Sequence, residues 1–324
     1  MSDLPLAPMT LGDIFDRLFR LIGKTWLRNL ILAGIFIVPA GLMMGVAADI
    51  GTSHLADMLR DRDMLEHLSA SEVSTLFGFA AWFAFGSLLL SLGTVAATVS
   101  ITLVSCAEMT GETLSWQEAL NRAFYSRILK VIGQSILESF LLVLLVAVPY
   151  MLLIVGVVTD SLGLAFFGGV LLLACVAAMI YLGISFAFTV PVISWEDADI
   201  LESFKRSWRL VKGNWWRTTG ILILMSLMVS FALSIVMAPF YLAAMWDFIR
   251  TYLHALGSIG SARPDPGLAM DLVKSLGFGI GIVSGLASIA ELLVAPLYIV
   301  VMYFDLRARH GEFTPPQSTP APLG

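Results

Sequence analysis

Charged residues are scarce in this 324-residue sequence. They make up only 13% of the chain, whereas hydrophobic residues make up 58% and the mean hydropathy is +0.88. A soluble globule needs more polar side chains than this to cover its surface, so the composition excludes an ordinary soluble domain and predicts that lipid forms part of the solvent. The formal net charge of -5 and the lack of a long basic run argue against a nucleic-acid partner.

Cysteine and histidine are also few. The two cysteines, Cys106 and Cys175, lie in or at the edge of apolar runs, which predicts buried free thiols rather than a disulfide or a zinc site. The four histidines are scattered, without paired metal-ligand spacing and without a neighbouring nucleophile motif. The sequence therefore predicts no catalytic residue, no metal site and no cofactor. Acidic residues before the first apolar run argue against a cleaved signal peptide.

Six apolar runs are long enough to cross a bilayer, which takes about 20 residues of helix. They lie at residues 30–48, 77–106, 132–158, 162–192, 220–246 and 276–303. We therefore predict an all-α polytopic membrane protein with six transmembrane helices. The prediction places one membrane domain at residues 1–310 and a disordered, proline-rich cytoplasmic tail at residues 311–324.

The distribution of Lys and Arg predicts the orientation, because these residues are retained on the cytoplasmic side of a membrane. Most of the 19 Lys and Arg residues precede the first run, follow the sixth, or lie between the second and third or the fourth and fifth runs. Both termini are therefore predicted to be cytoplasmic.

Three basic segments of the sequence can be aligned on Arg17, Arg122 and Arg206. An acid then falls in register at Asp13, Glu118 and Glu202, and an aromatic residue at Phe19, Phe124 and Trp208. Each segment starts at an N-cap candidate and continues with apolar residues at helical spacing, which is typical of an amphipathic helix at a membrane interface. The three N-cap candidates are Thr10, Ser115 and Asp199.

The span after each basic segment contains a proline, and the returning span ends near an acid. The prolines are Pro39, Pro149 and Pro239, and the acids are Glu108, Glu196 and Asp305. We predict three repeats of an amphipathic interfacial helix plus a transmembrane hairpin, at residues 10–109, 115–197 and 199–310. The alternative is the superficial periodicity that any protein with an even number of spans and basic cytoplasmic loops shows.

Three short segments give the chain a family resemblance: Pro8–Leu21, Ser203–Arg217 and Tyr303–Arg309. They resemble the hallmarks of bacterial proteins related to the membrane domain of glycerophosphoryl diester phosphodiesterases. The resemblance implies a stand-alone membrane domain in the bacterial inner membrane, without the catalytic barrel that some members of that family carry. A barrel needs at least about 200 soluble residues, and no such stretch is present. The resemblance therefore implies no phosphodiesterase activity.

Two acids in the apolar runs are candidates for an intramembrane polar site. Glu291 lies near the middle of the sixth run and Glu138 lies early in the third. A charged carboxylate inside a bilayer is expensive and usually faces a partner or a cavity. The alternative is that each acid is protonated or hydrogen-bonded to a hydroxyl on another helix and only locks the bundle. The candidate hydroxyls belong to Ser87, Thr94 and Thr98.

Basic residues and glycines supply two further sets of candidates. Four basic side chains are candidates for binding lipid headgroups: Arg206, Arg209, Lys212 and Arg217. The alternative is that they only set the orientation of the chain in the membrane. In the sixth run, Gly277, Gly281 and Gly285 recur at every fourth position, which favours close helix packing over a nucleotide loop.

Two functions of different classes remain. The first is a non-enzymatic scaffold or accessory protein whose partners are membrane lipids and other membrane proteins. The second is a small-molecule or ion transporter, for which internal repeats, prolines within spans and an intramembrane acid are recognised pointers. A polar cavity around Glu291 distinguishes the second function from the first.

Overall fold

The computed structural model describes residues 7–60, 70–258 and 268–313. Within these ranges all regular structure is helical. The α-helices are α1 Leu11–Arg60, α2 Ala70–Thr110, α3 Trp116–Arg122, α4 Ile128–Val158, α5 Leu162–Phe186, α6 Thr189–Glu196, α7 Ile200–Val211, α8 Trp215–Ala244, α9 Trp246–Ser258, α10 Leu268–Leu292 and α11 Ala295–Arg309. A π-helical turn, Ala123–Arg127, joins α3 to α4.

Six helical stretches are long and apolar enough to cross a membrane. They are Leu11–His54, Val73–Thr110, Ile128–Val158, Leu162–Glu196, Trp215–Ala244 and Gly279–Arg309. Each overlaps one of the predicted runs, so the prediction of an all-α protein with six such helices is confirmed. Three of the stretches contain the prolines noted above, Pro39, Pro149 and Pro239.

Capping boxes explain two of the three acids that fall in register. The backbone N–H of Thr10 donates to Asp13 at 2.9 Å, and that of Asp13 donates to the Thr10 hydroxyl at 3.3 Å. Ser115 and Glu118 form the same reciprocal pair at the start of α3. Hydrogen bonds from the backbone and the hydroxyl of Ser115 lower the pKa of Glu118. Both acids therefore satisfy backbone N–H groups at a helix start.

The three amphipathic segments differ in how they join the long helix that follows. The first is continuous with α1, and the second runs through the π-helical turn into α4. The third forms a separate helix, α7, which ends where Gly213 takes a φ of +87°. Glycine adopts this left-handed conformation at little cost, so it lets the chain turn before α8 begins. The carboxylate of Asp199, although at the N-cap of α7, makes no capping hydrogen bond.

Unit 1 is one of two compact units into which the chain divides, and it comprises residues 1–25, 99–226 and 296–324. Its core contains completely buried aromatic and aliphatic side chains, including Ile101, Phe188, Ile193, Tyr303 and Phe304. The hairpin of α4 and α5 belongs to this unit. A Cβ added to Gly168 would lie 2.6 Å from the backbone nitrogen of Leu153, so the two helices approach closely.

Unit 2 comprises residues 26–98 and 227–295. Here α1 packs against α2 through glycines: a Cβ added to Gly93 would lie 3.1 Å from the carbonyl oxygen of Phe36. Helix α1 also packs against α10: a Cβ added to Gly277 on α10 would lie 2.5 Å from the Cα of Asp49 on α1. At the next two positions of the glycine series, Gly281 faces Gly45 and Gly285 faces Gly41. The backbones of α10 and α1 therefore approach closely at these glycines.

The prediction of one membrane domain over residues 1–310 stays a prediction. The predicted disordered tail begins at Gly311, and its residues 314–324 lie outside the described residues.

Candidate functional site

Asp305, on α11 in unit 1, is completely buried and is paired with two arginines. Its Oδ2 accepts hydrogen bonds from Arg217 Nη1 at 2.5 Å and Arg309 Nε at 3.1 Å, and its Oδ1 accepts one from the backbone nitrogen of Met9 at 2.7 Å. Both arginines also donate to the Met9 carbonyl, at 2.9 and 2.8 Å. Because a buried carboxylate is costly unless it is fully paired, this arrangement ties the N-terminal segment, α8 and α11 together.

A second cluster surrounds Glu196 at the end of α6. Its carboxylate accepts hydrogen bonds from Tyr303 Oη at 2.5 Å and from Arg206 Nε and Nη2, both at 3.1 Å. Arg206 and Arg307 each lie 2.6 Å from the carboxylate of Glu312. The cluster therefore joins α6, α7, α11 and the turn after α11.

The charges of this second cluster stabilise one another. Burial alone raises the pKa of Glu312, but hydrogen bonds from Arg307 and Arg206 outweigh it, and the pKa is lowered. Burial alone lowers the pKa of Arg206, but hydrogen bonds to Glu196 and Glu312 outweigh it, and the pKa is raised. Both groups are thus held in their charged forms.

Two lysines form three further ion pairs in the same unit. Lys24 on α1 is 3.2 Å from Glu108 near the end of α2. Lys130 on α4 is 3.1 Å from Asp197 after α6, and 3.3 Å from Asp199. We call the region formed by these pairs and the Asp305 and Glu196 clusters the polar end of unit 1. Ion pairs at this end connect helices that are far apart in sequence.

The four predicted headgroup ligands lie in this region but differ in their availability. Arg206 and Arg217 are occupied by the buried or half-buried acids described above. Arg209 pairs with Glu202 at 2.7 Å, and more than half of each side chain is exposed. Lys212 is exposed between α7 and α8. Arg209 and Lys212 are therefore better placed than Arg206 and Arg217 to contact headgroups.

The two predicted intramembrane acids have different surroundings. Glu291 lies in unit 2 near the end of α10 and is exposed. Glu138 lies in unit 1 on α4, is half-buried, and accepts a hydrogen bond from Gln134 Nε2 at 2.5 Å. The hydroxyls suggested as partners for these acids donate instead to carbonyls of their own helix, at Ser87, Thr94 and Thr98.

A large apolar cavity lies in unit 2. It has a volume of about 670 Å³ and lies between α1 residues from Leu42 to His54 and α2 residues from Thr75 to Trp82. Gly78 lines it, and a Cβ added there would meet nothing within 4 Å. Neither Glu291 nor Glu138 lines this cavity.

A smaller, charged cleft lies in unit 1 beside the π-helical turn. It has a volume of about 320 Å³ and is lined by Asn121, Arg122, Ser126, Arg127 and Asp197. The sequence indicates Arg122 and Arg127 only as orientation signals, because the π-helical turn that places them in one cleft has no evident sequence signature. By contrast, the acids that end the returning spans are visible in the sequence as markers of the repeat, and they are the signal from which the ion pairs at the polar end could have been predicted.

Cys106 and Cys175 are buried free thiols, as the sequence predicts. Within residues 7–60, 70–258 and 268–313, the structure contains no group of three His, Cys, Asp or Glu residues arranged to hold a metal ion.

Comparison with known proteins gives a family without an assigned role. No curated protein and no solved structure matches the chain significantly. Residues 27–303 match the family described as a domain of unknown function, DUF7847. The match covers most of the 324 residues, including the helices of unit 2 and much of the polar end of unit 1. The chain belongs to the DUF7847 family.

Proposed function

We propose that this protein is a multi-pass membrane scaffold or accessory protein without enzymatic activity of its own. In this proposal its partners are membrane lipids and other membrane proteins. The observation that carries the proposal is the buried, fully paired Asp305, whose three hydrogen-bond donors hold separate segments in one fixed frame. Such a frame positions the exposed basic side chains of the polar end for contact with headgroups or partners.

Insertion in the bacterial inner membrane, with both termini cytoplasmic, is part of the proposal. Six helical stretches of sufficient length and apolarity support the insertion. The concentration of Lys and Arg at the polar end of unit 1 supports a cytoplasmic location for that end.

The threefold repeat is also part of the proposal, and three ion pairs support it. Lys24–Glu108, Lys130–Asp197 and Arg217–Asp305 each join the start of a proposed repeat's first span to the end of its second. The recurrence of this closing pair is expected if the three segments arose by duplication, whereas superficial periodicity gives no reason for it.

Kinship with the membrane domain of glycerophosphoryl diester phosphodiesterases remains a proposal based on three short motifs. The ion pairs give these motifs a structural role: Ser203–Arg217 contains Arg206 and Arg217, and Tyr303–Arg309 contains Asp305. A role in folding supports the view that the resemblance concerns the scaffold rather than phosphodiesterase chemistry.

The transporter alternative requires a polar cavity around Glu291. The large cavity of unit 2 is apolar and does not include that residue, so it lends the alternative no support.

Extraction of the tagged protein from native membranes into polymer-bounded discs, followed by mass spectrometry of the retained lipids and proteins, tests the proposal. We expect enrichment of anionic phospholipid over the bulk membrane, and a reduced enrichment in the Arg209→Gln/Lys212→Gln variant. Discs with bulk lipid composition and no retained partner would contradict the scaffold proposal. Hydrolysis of glycerophosphodiesters by the purified protein would contradict its non-enzymatic character, and solute uptake by proteoliposomes would favour the transporter.

A further inference from the structure

The two arginines of the small cleft are brought together by the π-helical turn. In an α-helix, residues five apart point in clearly different directions, whereas a π-helical turn closes i to i+5 hydrogen bonds and aligns them. The backbone nitrogen of Ile128 donates to the carbonyl oxygen of Ala123 in this way. In addition, the side chain of Arg127 donates from Nη1 to the backbone carbonyl oxygen of Arg122 at 3.5 Å. Arg122 and Arg127 therefore lie on one face, with Ser126 beside them.

Asp197 lines this cleft and is paired with Lys130. Asp197 ends α6 in a left-handed conformation with a φ of +56°, which places its carboxylate 3.1 Å from Lys130 Nζ and 4.0 Å from Arg127 Nε. Lys130 also donates to the Asp197 carbonyl at 3.0 Å. These contacts hold the Arg127 side chain, which is only 20% exposed, at the wall of the cleft.

Arg122 lacks the close acid partners that its counterpart has, although its charge contributes to the lowered pKa of Glu118, four residues before it. In the alignment of basic segments it corresponds to Arg206, which pairs with Glu196 and Glu312. Within the part of the chain that the structure describes, the Arg122 guanidinium makes no hydrogen bond and no ion pair within 4.0 Å. It is exposed and lines the same cleft as Arg127. An anion in the cleft would supply both guanidiniums with an acceptor.

The side chains flanking the cleft match a membrane interface. Phe124 is 58% exposed and Leu129 is 72% exposed, next to the cleft residues Arg122 and Arg127 in sequence. Apolar side chains of this kind enter the acyl region while neighbouring arginines stay at headgroup depth. The planar guanidinium groups of two arginines, together with hydroxyl and amide donors, are suited to a phosphate group, whose oxygens accept several hydrogen bonds.

We propose that this cleft binds the phosphate group of a phospholipid, held by Arg122, Arg127, Ser126 and Asn121. Asp197 orients Arg127 and leaves oxygen lone pairs that accept a hydrogen bond from a headgroup hydroxyl or ammonium group. The site deepens the proposed function, because it rests on a scaffold that contacts membrane lipid and names the chemistry of one such contact.

The test uses full-length protein in vesicles of phosphatidylcholine with a minor fraction of phosphatidylglycerol, extracted into small discs whose lipids are quantified. We expect the discs that contain wild type to be enriched in phosphatidylglycerol. In the Arg122→Gln/Arg127→Gln variant this enrichment should fall by a factor on the order of five for each arginine removed. The control variant Arg20→Gln/Lys205→Gln removes the same charge from exposed residues of unit 1 and should keep most of the enrichment. If the double variant folds poorly, Arg122→Gln alone serves instead: it breaks no hydrogen bond and no close ion pair, and it should lose enrichment too.

The outcomes separate the two proposals. Enrichment in wild type that persists in both arginine variants would overturn this site and leave the scaffold proposal standing. Absence of enrichment in wild type would overturn this site together with the lipid contact of the scaffold proposal, whose protein partners the discs from native membranes test separately. A second arm titrates inorganic phosphate into detergent-solubilised protein by calorimetry. Binding that depends on Arg122 and Arg127, together with an unchanged lipid ratio, would assign the cleft to a free phosphate and overturn the lipid.

Discussion

In unit 1, ion pairs join the helices at the polar end, whereas in unit 2, glycines let α1, α2 and α10 approach one another. The polar end contains a completely buried Asp305 with two arginine partners. In unit 2, Gly281 faces Gly45 so closely that a side chain at position 281 would clash with the Gly45 backbone. A buried charge makes its partners indispensable, while apolar helices in lipid depend on close van der Waals contact between backbones. The comparison predicts different kinds of sensitivity in the two units.

The largest loss is expected from Asp305→Asn. The substitution removes the negative charge but keeps the shape, so Arg217 and Arg309 remain partly buried without a counter-ion. Breaking a buried pair in this way costs about 3–5 kcal/mol. The free energy of unfolding in mixed detergent should fall by this amount, and a loss below about 1 kcal/mol would show that Asp305 does not hold the polar end together.

The stability of unit 2 should depend on the volume of the side chains between its helices rather than on charge. Gly281→Leu places a side chain against the backbone of Gly45 and should cost about 1–3 kcal/mol through forced separation of α10 and α1. The matched control is Gly34→Leu on α1, where an added Cβ meets nothing within 4 Å. Equal midpoints of thermal unfolding for the two variants would refute the close contact between α10 and α1.

The contribution of Glu312 to unit 1 should depend on pH. Because the pKa of Glu312 is lowered in the folded protein, its ionised form stabilises the fold above about pH 4.3, the usual pKa of Glu. This contribution is lost as the pH falls through the lowered pKa. Wild type should therefore unfold at a higher temperature than Glu312→Gln at pH 7, by an amount worth about 1 kcal/mol, and the difference should vanish in acid. A difference that grows in acid would contradict the ion pairs of Glu312.

The smallest effect is expected for the exposed pair of Arg209 and Glu202. Both side chains are more than half exposed, so solvent screens their attraction. Glu202→Gln should change the free energy of unfolding by less than about 1 kcal/mol, and the change should shrink further in high salt. An effect as large as that of Asp305→Asn would remove the distinction between buried and exposed pairs in unit 1.

Much of the helical architecture follows from the sequence, because it depends on local signals. Apolar runs predicted six long helices, and Thr10 and Ser115 with their acids three residues later predicted two helix starts. The separate helix α7 also has a local cause, since Gly213 ends it. The sequence does not predict that α1 is continuous from Leu11 to Arg60, because the spacing of apolar residues is the same in an interfacial helix and in the first turns of a span.

The candidate site is less predictable, because its residues meet only through tertiary structure. Arg206 and Arg217 were grouped as headgroup ligands by their nearness in sequence, yet each is occupied by an acid at least 10 residues away. The cleft at Arg122 and Arg127 depends on a π-helical turn, a backbone choice that the sequence does not mark. Charge type is visible in a sequence, but whether a charge is paired inside the protein is not.

The most direct test determines whether the polar end of unit 1 and the tip of the α4–α5 hairpin lie on opposite sides of a membrane. Cys106 and Cys175 are buried, and both are replaced by alanine so that single cysteines can be introduced at Lys212 and at Asp160. A membrane-impermeant maleimide is then applied to intact and to permeabilised cells. We predict that Asp160→Cys is labelled in intact cells and that Lys212→Cys is labelled only after permeabilisation. Labelling of both positions from the same side would contradict this prediction.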